Sequence, residues 1–359
     1  MAMRIPKIRL TRRQTLSGAV SLIIFLTLAL LLLFVAFSKR SFLGAHFFYD
    51  ADTIASYIVL SPYFSTVDSF ESTAATYSFL GIAQTWPGEV FFQSIVLLVI
   101  VASELLRSNR ADMNAWKLGA IFLLAFFSFV YLTELSKDFF LIVLIFLLPR
   151  KNIVRIFAWF AVVALYALFF RKYWFIVLSI SAVLLFVNRR EISLWKTALA
   201  ISILAVGLAY SFPVFVGTDL DTIRSTVNDS REAVGTRDMN TVITSFLPGS
   251  GGALSALNLL LVWISLIFPF PLVLLGTPYY VIIFISIVYI FSNLLFQISR
   301  IYRFPSAWGI EVSLPLSLIL GFSLTQAIFE PDYGSYLRHL TVMLPLFIRI
   351  FVPRFINQK

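Results

Sequence analysis

Cysteine is absent from the 359 residues, and histidine occurs only at His46 and His339. Disulfides and thiolate metal sites are therefore excluded, and two histidines are too few for a histidine metal cluster. Charged residues are scarce, at 13% of the chain, whereas an average soluble domain has about 25%. We expect no cofactor and no metal site, so any chemistry depends on Arg, Lys, Asp, Glu, Tyr or a single His.

Long apolar runs dominate the sequence, which is 60% hydrophobic. A helix of about 20 apolar residues crosses about 30 Å of hydrocarbon, and runs of this kind recur along the whole chain. The sequence therefore predicts an all-α, polytopic membrane protein with about ten transmembrane helices. The first run follows a basic stretch but is too long for a signal-peptide core, so we interpret it as a retained span. The predicted spans are 17–37, 90–106, 118–133, 138–149, 153–169, 173–188, 194–212, 278–298, 306–328 and 339–353.

A further apolar segment, 254–275, contains the motif Phe268-Pro269-Phe270-Pro271. Proline removes a backbone donor and clashes with the preceding turn, so it breaks helices. We interpret 254–275 as a re-entrant or interfacial segment rather than a complete crossing.

The distribution of charge along the chain predicts its orientation. With the N-terminus inside, most Lys and Arg fall in short cytoplasmic loops and most carboxylates fall outside, as the positive-inside rule requires. The net charge of +10 therefore follows the loops and does not indicate nucleic-acid binding. We predict one transmembrane domain over 1–359 without a separate soluble domain, cytoplasmic termini, and outer loops at about 38–89 and 213–277.

Two pairs of charges lie in turns that should be recessed below the outer surface. Lys137-Asp138 and Arg171-Lys172 each fall between two spans that are too short for full crossings. Charges at that depth need partners or a wet cavity. For the first pair the alternative is a structural ion pair, and for the second it is snorkelling of two cations to the interface.

Two other outer segments carry candidate functional groups. Arg224 and Arg231 are seven residues apart, so on a helix they share a face and could hold phosphate oxygens; solvated salt bridges are the alternative. Glu330, Asp332 and His339 surround the turn before the last span, where one of them could act as a general base for a hydroxyl. The alternative there is a polar helix cap. Arg338 lies in the same segment.

This layout resembles the bacterial repeat-unit polymerases of the Wzy type, which extend O-antigen, capsule or exopolysaccharide chains. The resemblance covers nearly the whole chain as architecture: many spans, cytoplasmic ends, a large arginine-bearing outer loop late in the chain, and the Phe-Pro-Phe-Pro break after it. It implies a helical membrane fold like that of GT-C-type glycosyltransferases, an inner-membrane location, and a donor glycan carried on polyprenyl diphosphate. The expected partners are lipid-linked donor and acceptor oligosaccharides, membrane lipids and a chain-length regulator.

The resemblance and the charges together predict the site. We expect the diphosphate among Arg171, Lys172, Arg224, Arg231 and Arg338, with Glu330, Asp332 or His339 as the catalytic base and Lys137 and Asp138 in support. Asp50-Ala51-Asp52 and Asp219-Leu220-Asp221 lie in outer loops, which argues against a cytoplasmic enzyme that uses nucleotide sugars. An O-antigen ligase and a lipid-linked glycan flippase or transporter remain the alternatives.

Overall fold

A computed structural model describes residues 12–60, 62–82, 87–108, 113–188, 193–233, 241–303 and 309–353, with the side chains of 12–25, 46 and 230–233 left out of the description. Within these ranges the chain is helical, and the β structure is one isolated bridge between Val242 and Asp332. The helices are α1 Arg12–Phe42, α2 Tyr49–Val59, α3 Ser69–Phe79, α4 Gly88–Arg107, α5 Ala115–Leu132, α6 Lys137–Phe146, α7 Ile153–Phe169, α8 Trp174–Asn188, α9 Leu194–Phe215, α10 Leu220–Ala233, α11 Gly252–Ile267, α12 Phe270–Leu274, α13 Pro278–Arg303, α14 Ile310–Phe329, α15 Tyr333–Thr341 and α16 Leu344–Phe351.

Five helices in the described ranges are long and apolar enough to cross a membrane, namely α4, α5, α9, α13 and α14. Three shorter apolar helices, α7, α8 and α11, have 15 to 17 residues. The chain thus has the all-helical, multi-pass character that the sequence predicts. The count of ten crossings stays a prediction.

The last predicted span, 339–353, is not one continuous helix. Helix α15 ends at Thr341, Val342 and Met343 form a turn, and α16 begins with Leu344 and Pro345. Pro345 lacks a backbone N–H, and in a continuous helix its ring would crowd the carbonyl of Thr341, so it favours the start of a new helix, where it stands in the first turn. A single crossing by 339–353 stays a prediction.

The segment 254–275 breaks where the sequence predicts. Helix α11 ends at Ile267, Phe268 leaves the helical conformation, and a short helix, α12, follows Pro269. The residue before a proline is disfavoured in the α conformation, which explains a stop at Phe268. With 16 residues, α11 is about 24 Å long, and its crossing or re-entry stays a prediction.

Helices α14 and α16 form the centre of the bundle. Helix α14 packs against α8, α11 and α16, and every residue of α16 is buried. Gly321 permits the close approach of α14 to α8, because a Cβ there would lie 3.1 Å from the backbone nitrogen of Ser181 and 3.2 Å from the carbonyl oxygen of Val177. Small residues allow this kind of backbone contact between membrane helices.

Replacing Gly321 by alanine is expected to separate α14 from α8 and to lower the free energy of unfolding by about 1–3 kcal/mol. Gly207 in α9 is the matched control, because nothing lies within 4 Å of a Cβ placed there. Gly207→Ala should be stabilising by about 0.5–1 kcal/mol, since glycine is a poor helix former. Thermal unfolding of the purified variants in detergent measures both changes. Equal effects of the same sign would contradict the assigned packing.

Candidate functional site

Six ionisable side chains from five parts of the chain meet at one end of the bundle, which we call the outer end after the predicted orientation. These side chains belong to the start of α2, the start of α6, the turn between α7 and α8, the residue after α14, and α15. We call them the charged cluster: Asp50, Asp138, Arg171, Glu330, Arg338 and His339.

Asp138 is the centre of the charged cluster and is fully buried. Its Oδ2 accepts a hydrogen bond of 3.0 Å from Nη2 of Arg171. The same oxygen lies 3.6 Å from Nε of Arg338 and 3.6 Å from Nε2 of His339. Ser136 caps α6 through its side chain, and the helix N-terminus behind Asp138 favours a carboxylate there. The sequence therefore places one buried anion among three nitrogen-bearing side chains.

Arg338 links the cluster to α2. Its Nη2 lies 2.6 Å from Oδ2 of Asp50. Burial raises the pKa of Asp50, but the charges of Arg338 and Arg171 outweigh burial and hold the pKa of this carboxyl well below its usual range. Asp50 is therefore ionised at neutral pH, and its pairing with Arg338 fixes the orientation of the guanidinium.

His339 and Glu330 form a hydrogen-bonded pair beside Asp138. Nδ1 of His339 is 2.7 Å from Oε2 of Glu330, and both side chains are buried. When the neutral imidazole donates its Nδ1–H to Glu330, Nε2 holds the lone pair and faces Asp138. A carboxylate that orients a histidine in this way is the arrangement of a histidine general base.

The outer loop is tied to the same turn. Arg224 in α10 donates from Nη1 to the carbonyl of Glu330 over 3.3 Å. The backbone N–H of Ile243 donates to the carbonyl of Pro331 over 2.7 Å, next to the bridge between Val242 and Asp332. Burial lowers the pKa of Arg224 to about 10, although Asp221 and Glu330 oppose the shift. These contacts hold the segment that carries Glu330.

A cluster of hydrogen bonds around Asp221 fixes α10 in place. Oδ1 of Asp221 accepts from Ser245, and Oδ2 accepts from Ser255, each over 2.5 Å. Asn258 also donates to Oδ1 over 3.2 Å. Because Ser255 and Asn258 belong to α11, the polar helix α10 of the second predicted outer loop is anchored to the bundle near the charged cluster.

The remaining predicted site residues are placed differently. Asp332 accepts hydrogen bonds from the backbone and side chain of Ser335, so it caps α15, as the polar-cap alternative proposed. Lys172 is exposed. The side chain of Arg231 lies outside the described residues.

Lys137 contacts α3 and not Asp138. Its Nζ donates to Oγ of Ser69 over 2.9 Å and lies 3.2 Å from the centroid of the Phe70 ring. Asp138 turns toward Arg171 instead. The two neighbours therefore make separate contacts, and the alternative interpretation, a direct ion pair between them, does not hold.

Several buried polar atoms of the charged cluster make no hydrogen bond within the described part of the chain. They are Oδ1 of Asp138, Nε of Arg171, Oε1 of Glu330 and Nε of Arg338. A buried polar atom without a partner costs about 1–3 kcal/mol, and such atoms in a native structure call for an explanation such as a catalytic role. Donors and acceptors thus remain for a polar ligand.

The depth of the cluster follows from the length of α6. This helix has ten residues, so it is about 15 Å long, half of a hydrocarbon core of about 30 Å. Asp138 lies at its start, and the carbonyl of Phe146 at its end accepts a hydrogen bond from Arg349. The recessed position of the turn before α6 stays a prediction, and the short length of this helix is consistent with it.

A second set of charges lies at the opposite end. Oε1 of Glu104 is 2.8 Å from Nη2 of Arg349, and Oε2 is 2.6 Å from Nη2 of Arg150. Arg349 also donates to the carbonyls of Phe146 and Leu148. We call these three residues the Glu104 cluster. It joins α4, α16 and the end of α6, and its arginine at position 150 lies in a loop that the sequence predicts to be cytoplasmic.

Two cations of the first outer loop have structural partners. Arg40 makes a paired contact with Glu134, at 3.0 Å from Nε and 2.6 Å from Nη2, and also contacts Asp52. Lys39 donates to Oγ1 of Thr133 over 2.7 Å. These contacts join the end of α1 to the turn before α6, so they account for cations that the positive-inside rule disfavours.

Asp50 is the member of the charged cluster that the site prediction missed. In the sequence it stands out only in the motif Asp50-Ala51-Asp52, which serves as evidence against a cytoplasmic enzyme that uses nucleotide sugars. One available indication was charge: residues 43–87 contain carboxylates but no Lys or Arg. Carboxylates of that loop can pair only with cations from elsewhere in the chain.

The described residues thus define an all-helical chain with several helices long enough to span a membrane and a buried ionic site at one end. Comparisons with protein-family models, curated proteins and solved structures find no match. The function is therefore argued from the geometry of the site.

Proposed function

We propose that this chain is a metal-independent membrane glycosyltransferase of the bacterial inner membrane that polymerises polyprenyl-diphosphate-linked oligosaccharide repeat units at the outer face. The observation that carries the proposal is the convergence of Arg171 and Arg338 on Asp138, directly beside the Glu330–His339 pair. A leaving-group site and a base site thus lie next to each other, with the bilayer available to the lipid tail of the substrate.

The diphosphate is assigned to Arg171 and Arg338. A guanidinium has five N–H donors, and Asp138 and Asp50 occupy only some of them. The side chains of Arg171 and Arg338 keep 17% and 19% exposure, so each is open on one side. Carboxylates that hold the guanidinium groups in place preorganise the remaining donors for charge that develops on a leaving group.

The charges of the site also limit the ligand. In the charged cluster three carboxylates, Asp50, Asp138 and Glu330, stand against two arginines, Arg171 and Arg338. The site therefore offers oriented donors and no large positive field. This favours recognition of a lipid-anchored diphosphate that already resides in the membrane over capture of a free anion from solution.

The chemistry is a displacement at the anomeric carbon of the donor. An acceptor hydroxyl forms the new C–O bond while the bond from the anomeric carbon to the diphosphate breaks. The hydroxyl proton passes to Nε2 of His339, and the electron pair of the broken bond leaves with the polyprenyl diphosphate, whose charge Arg171 and Arg338 stabilise. The imidazolium that forms lies between Glu330 and Asp138, which stabilise its charge.

Two other activities could involve the same lipid-linked glycan. An O-antigen ligase takes the same donor, and only the acceptor, a lipid A core in place of a second lipid-linked repeat, distinguishes it. A flippase or transporter requires a path between the two ends of the bundle. Helix α16 ends at the Glu104 cluster and is buried over its whole length, which favours a closed wall there over a path.

The test is chain extension in cells that lack the gene and carry a variant. Arg338→Ala is expected to abolish polymer longer than one repeat unit, because it removes a donor to the leaving group and also leaves Asp50 unpaired. Arg155→Ala is the matched control, since Arg155 is an exposed arginine of α7 at the predicted cytoplasmic end.

Membrane insertion is checked for both variants by detergent extraction and gel filtration. Normal polymer length with well-inserted Arg338→Ala would overturn the assignment of Arg338. Loss of polymer in Arg155→Ala would show that the assay does not distinguish the charged cluster from the rest of the protein.

A further inference from the structure

The first outer loop folds into a helical hairpin of α2 and α3 that packs on the start of α6. Ala51 and Ile54 of α2 and Tyr77 of α3 share a small hydrophobic core with Leu135 and Phe139. The hydroxyl of Tyr77 donates to the carbonyl of Ser136 and accepts from the backbone N–H of the same residue, each over 3.1 Å. The hairpin is therefore fixed to the recessed turn before α6.

The position of α6 sets the depth of the hairpin. Because α6 is about 15 Å long, its start lies well inside a hydrocarbon core of about 30 Å when its other end lies at the predicted cytoplasmic surface. An element that packs directly on this start then lies at the level of the membrane and does not project into water. With this orientation, we expect the hairpin to present a surface that is compatible with lipid.

The tip of the hairpin is apolar and exposed. Val59 and Val67 are 84% and 89% exposed, and Leu60, Tyr63 and Phe64 between them are exposed as well. Residues 59–67 contain no charged side chain. Single exposed apolar residues are ordinary, but a contiguous exposed patch indicates an interaction surface. We call the described residues of this segment, 59–60 and 62–67, the apolar tip.

The apolar tip continues an exposed apolar face of the bundle. The ring of Phe64 packs edge-on against Phe169, the last residue of α7, with 6.2 Å between centroids. Along α7 the exposed side chains are also apolar, including Phe157, Val162 and Leu165. A helix of a membrane protein that exposes such a face directs it to lipid.

We propose that the apolar tip inserts among the acyl chains of the outer leaflet beside α7. The stretches that form this surface, 156–169 of α7 and the apolar tip, contain no charged residue. The insertion does not depend on the proposed function. Under that function, Arg171, two residues beyond Phe169, would meet a lipid-anchored diphosphate directly from the bilayer.

The test uses the absence of cysteine from the chain, because each introduced cysteine is then the single labelling site. Val59→Cys and Val67→Cys carry a nitroxide at the apolar tip. Val162→Cys on α7 is the lipid-facing reference, and Ser225→Cys on the polar helix α10 is the water-facing reference. Both native side chains are exposed. The protein is reconstituted into phospholipid vesicles.

Paramagnetic relaxation then compares collisions with oxygen, which concentrates in the bilayer, and with a water-soluble nickel chelate. The ratio of oxygen to nickel collisions at Val59 and Val67 is expected to be several-fold higher than at Ser225 and similar to that at Val162. A ratio like that of Ser225 would overturn the proposal by placing the tip in water. Low accessibility to both reagents would also overturn it, because protein would then cover the tip.

Discussion

Replacing His339 by glutamine is expected to lower the rate of chain extension by about 10²- to 10⁴-fold, the usual contribution of a general base. The glutamine amide can still donate a hydrogen bond to Glu330, which lies 2.7 Å from Nδ1 in the native protein. It cannot accept the proton of the acceptor hydroxyl. The measurement is the steady-state rate with purified lipid-linked oligosaccharide in vesicles.

The rate constants separate catalysis from a structural role. If His339 accepts the hydroxyl proton in the transition state, kcat should fall while KM stays near its native value. Glu330→Gln is the companion variant: it should lower kcat less, because Glu330 positions the imidazole and the base itself remains. A native kcat in His339→Gln would contradict the assignment of His339 as the base.

Replacing Glu104 by glutamine is expected to lower the free energy of unfolding by about 3–5 kcal/mol, the usual cost of breaking a buried ion pair. Glu104 is 1% exposed and contacts both Arg349 and Arg150. Arg349, at 4% side-chain exposure, would keep its carbonyl contacts but lose the carboxylate that it contacts within the described part of the chain. Unfolding of the variant in detergent, followed by circular dichroism against denaturant, measures the change.

Glu311→Gln is the control at the same end of the bundle. Its partner Lys151, 3.2 Å away, is 72% exposed, so the pair should contribute at most about 1 kcal/mol. A loss for Glu104→Gln that is no larger than that for Glu311→Gln would contradict the structural role of the Glu104 cluster.

Segment length predicts two recessed turns, because it depends only on the number of residues available for two crossings, and their depth in a membrane stays a prediction. The turn before α6 and the turn after α7 indeed meet, through Asp138 and Arg171. The composition alone was enough to predict an all-helical chain. The motif at Phe268 predicted a helix stop because proline acts locally, on its own backbone and that of the residue before it.

Which side chain each charged residue contacts could not be predicted from segment length or local motifs. Lys137 and Asp138 are neighbours in sequence, yet one reaches Ser69 and the other Arg171. Successive side chains at the start of a helix point in directions about 100° apart, so adjacency does not imply contact. Asp50 and Arg338 are far apart in the sequence, and the packing of α2 against the bundle brings them together.

The interruption of the last predicted span shows a different limit. Hydropathy over 339–353 is that of a membrane helix, and the helix stops before Pro345, whereas Pro213 in α9 and Pro315 in α14 lie inside helices. Whether a proline stops a helix or is accommodated depends on the contacts of the freed carbonyl groups. Those contacts are set by tertiary packing.

The most direct test of the central claim is the product formed by the purified protein from a single substrate, a polyprenyl-diphosphate oligosaccharide, in vesicles that contain a chelator of divalent cations. Mass spectrometry of the lipid products reads the outcome. The account predicts lipid-linked glycans of two and more repeat units, with release of polyprenyl diphosphate, and loss of both in Arg338→Ala. The reaction contains no lipid A core, so a ligase has no acceptor in it. Recovery of the unchanged substrate with the native protein would contradict the claim that this chain is a repeat-unit polymerase.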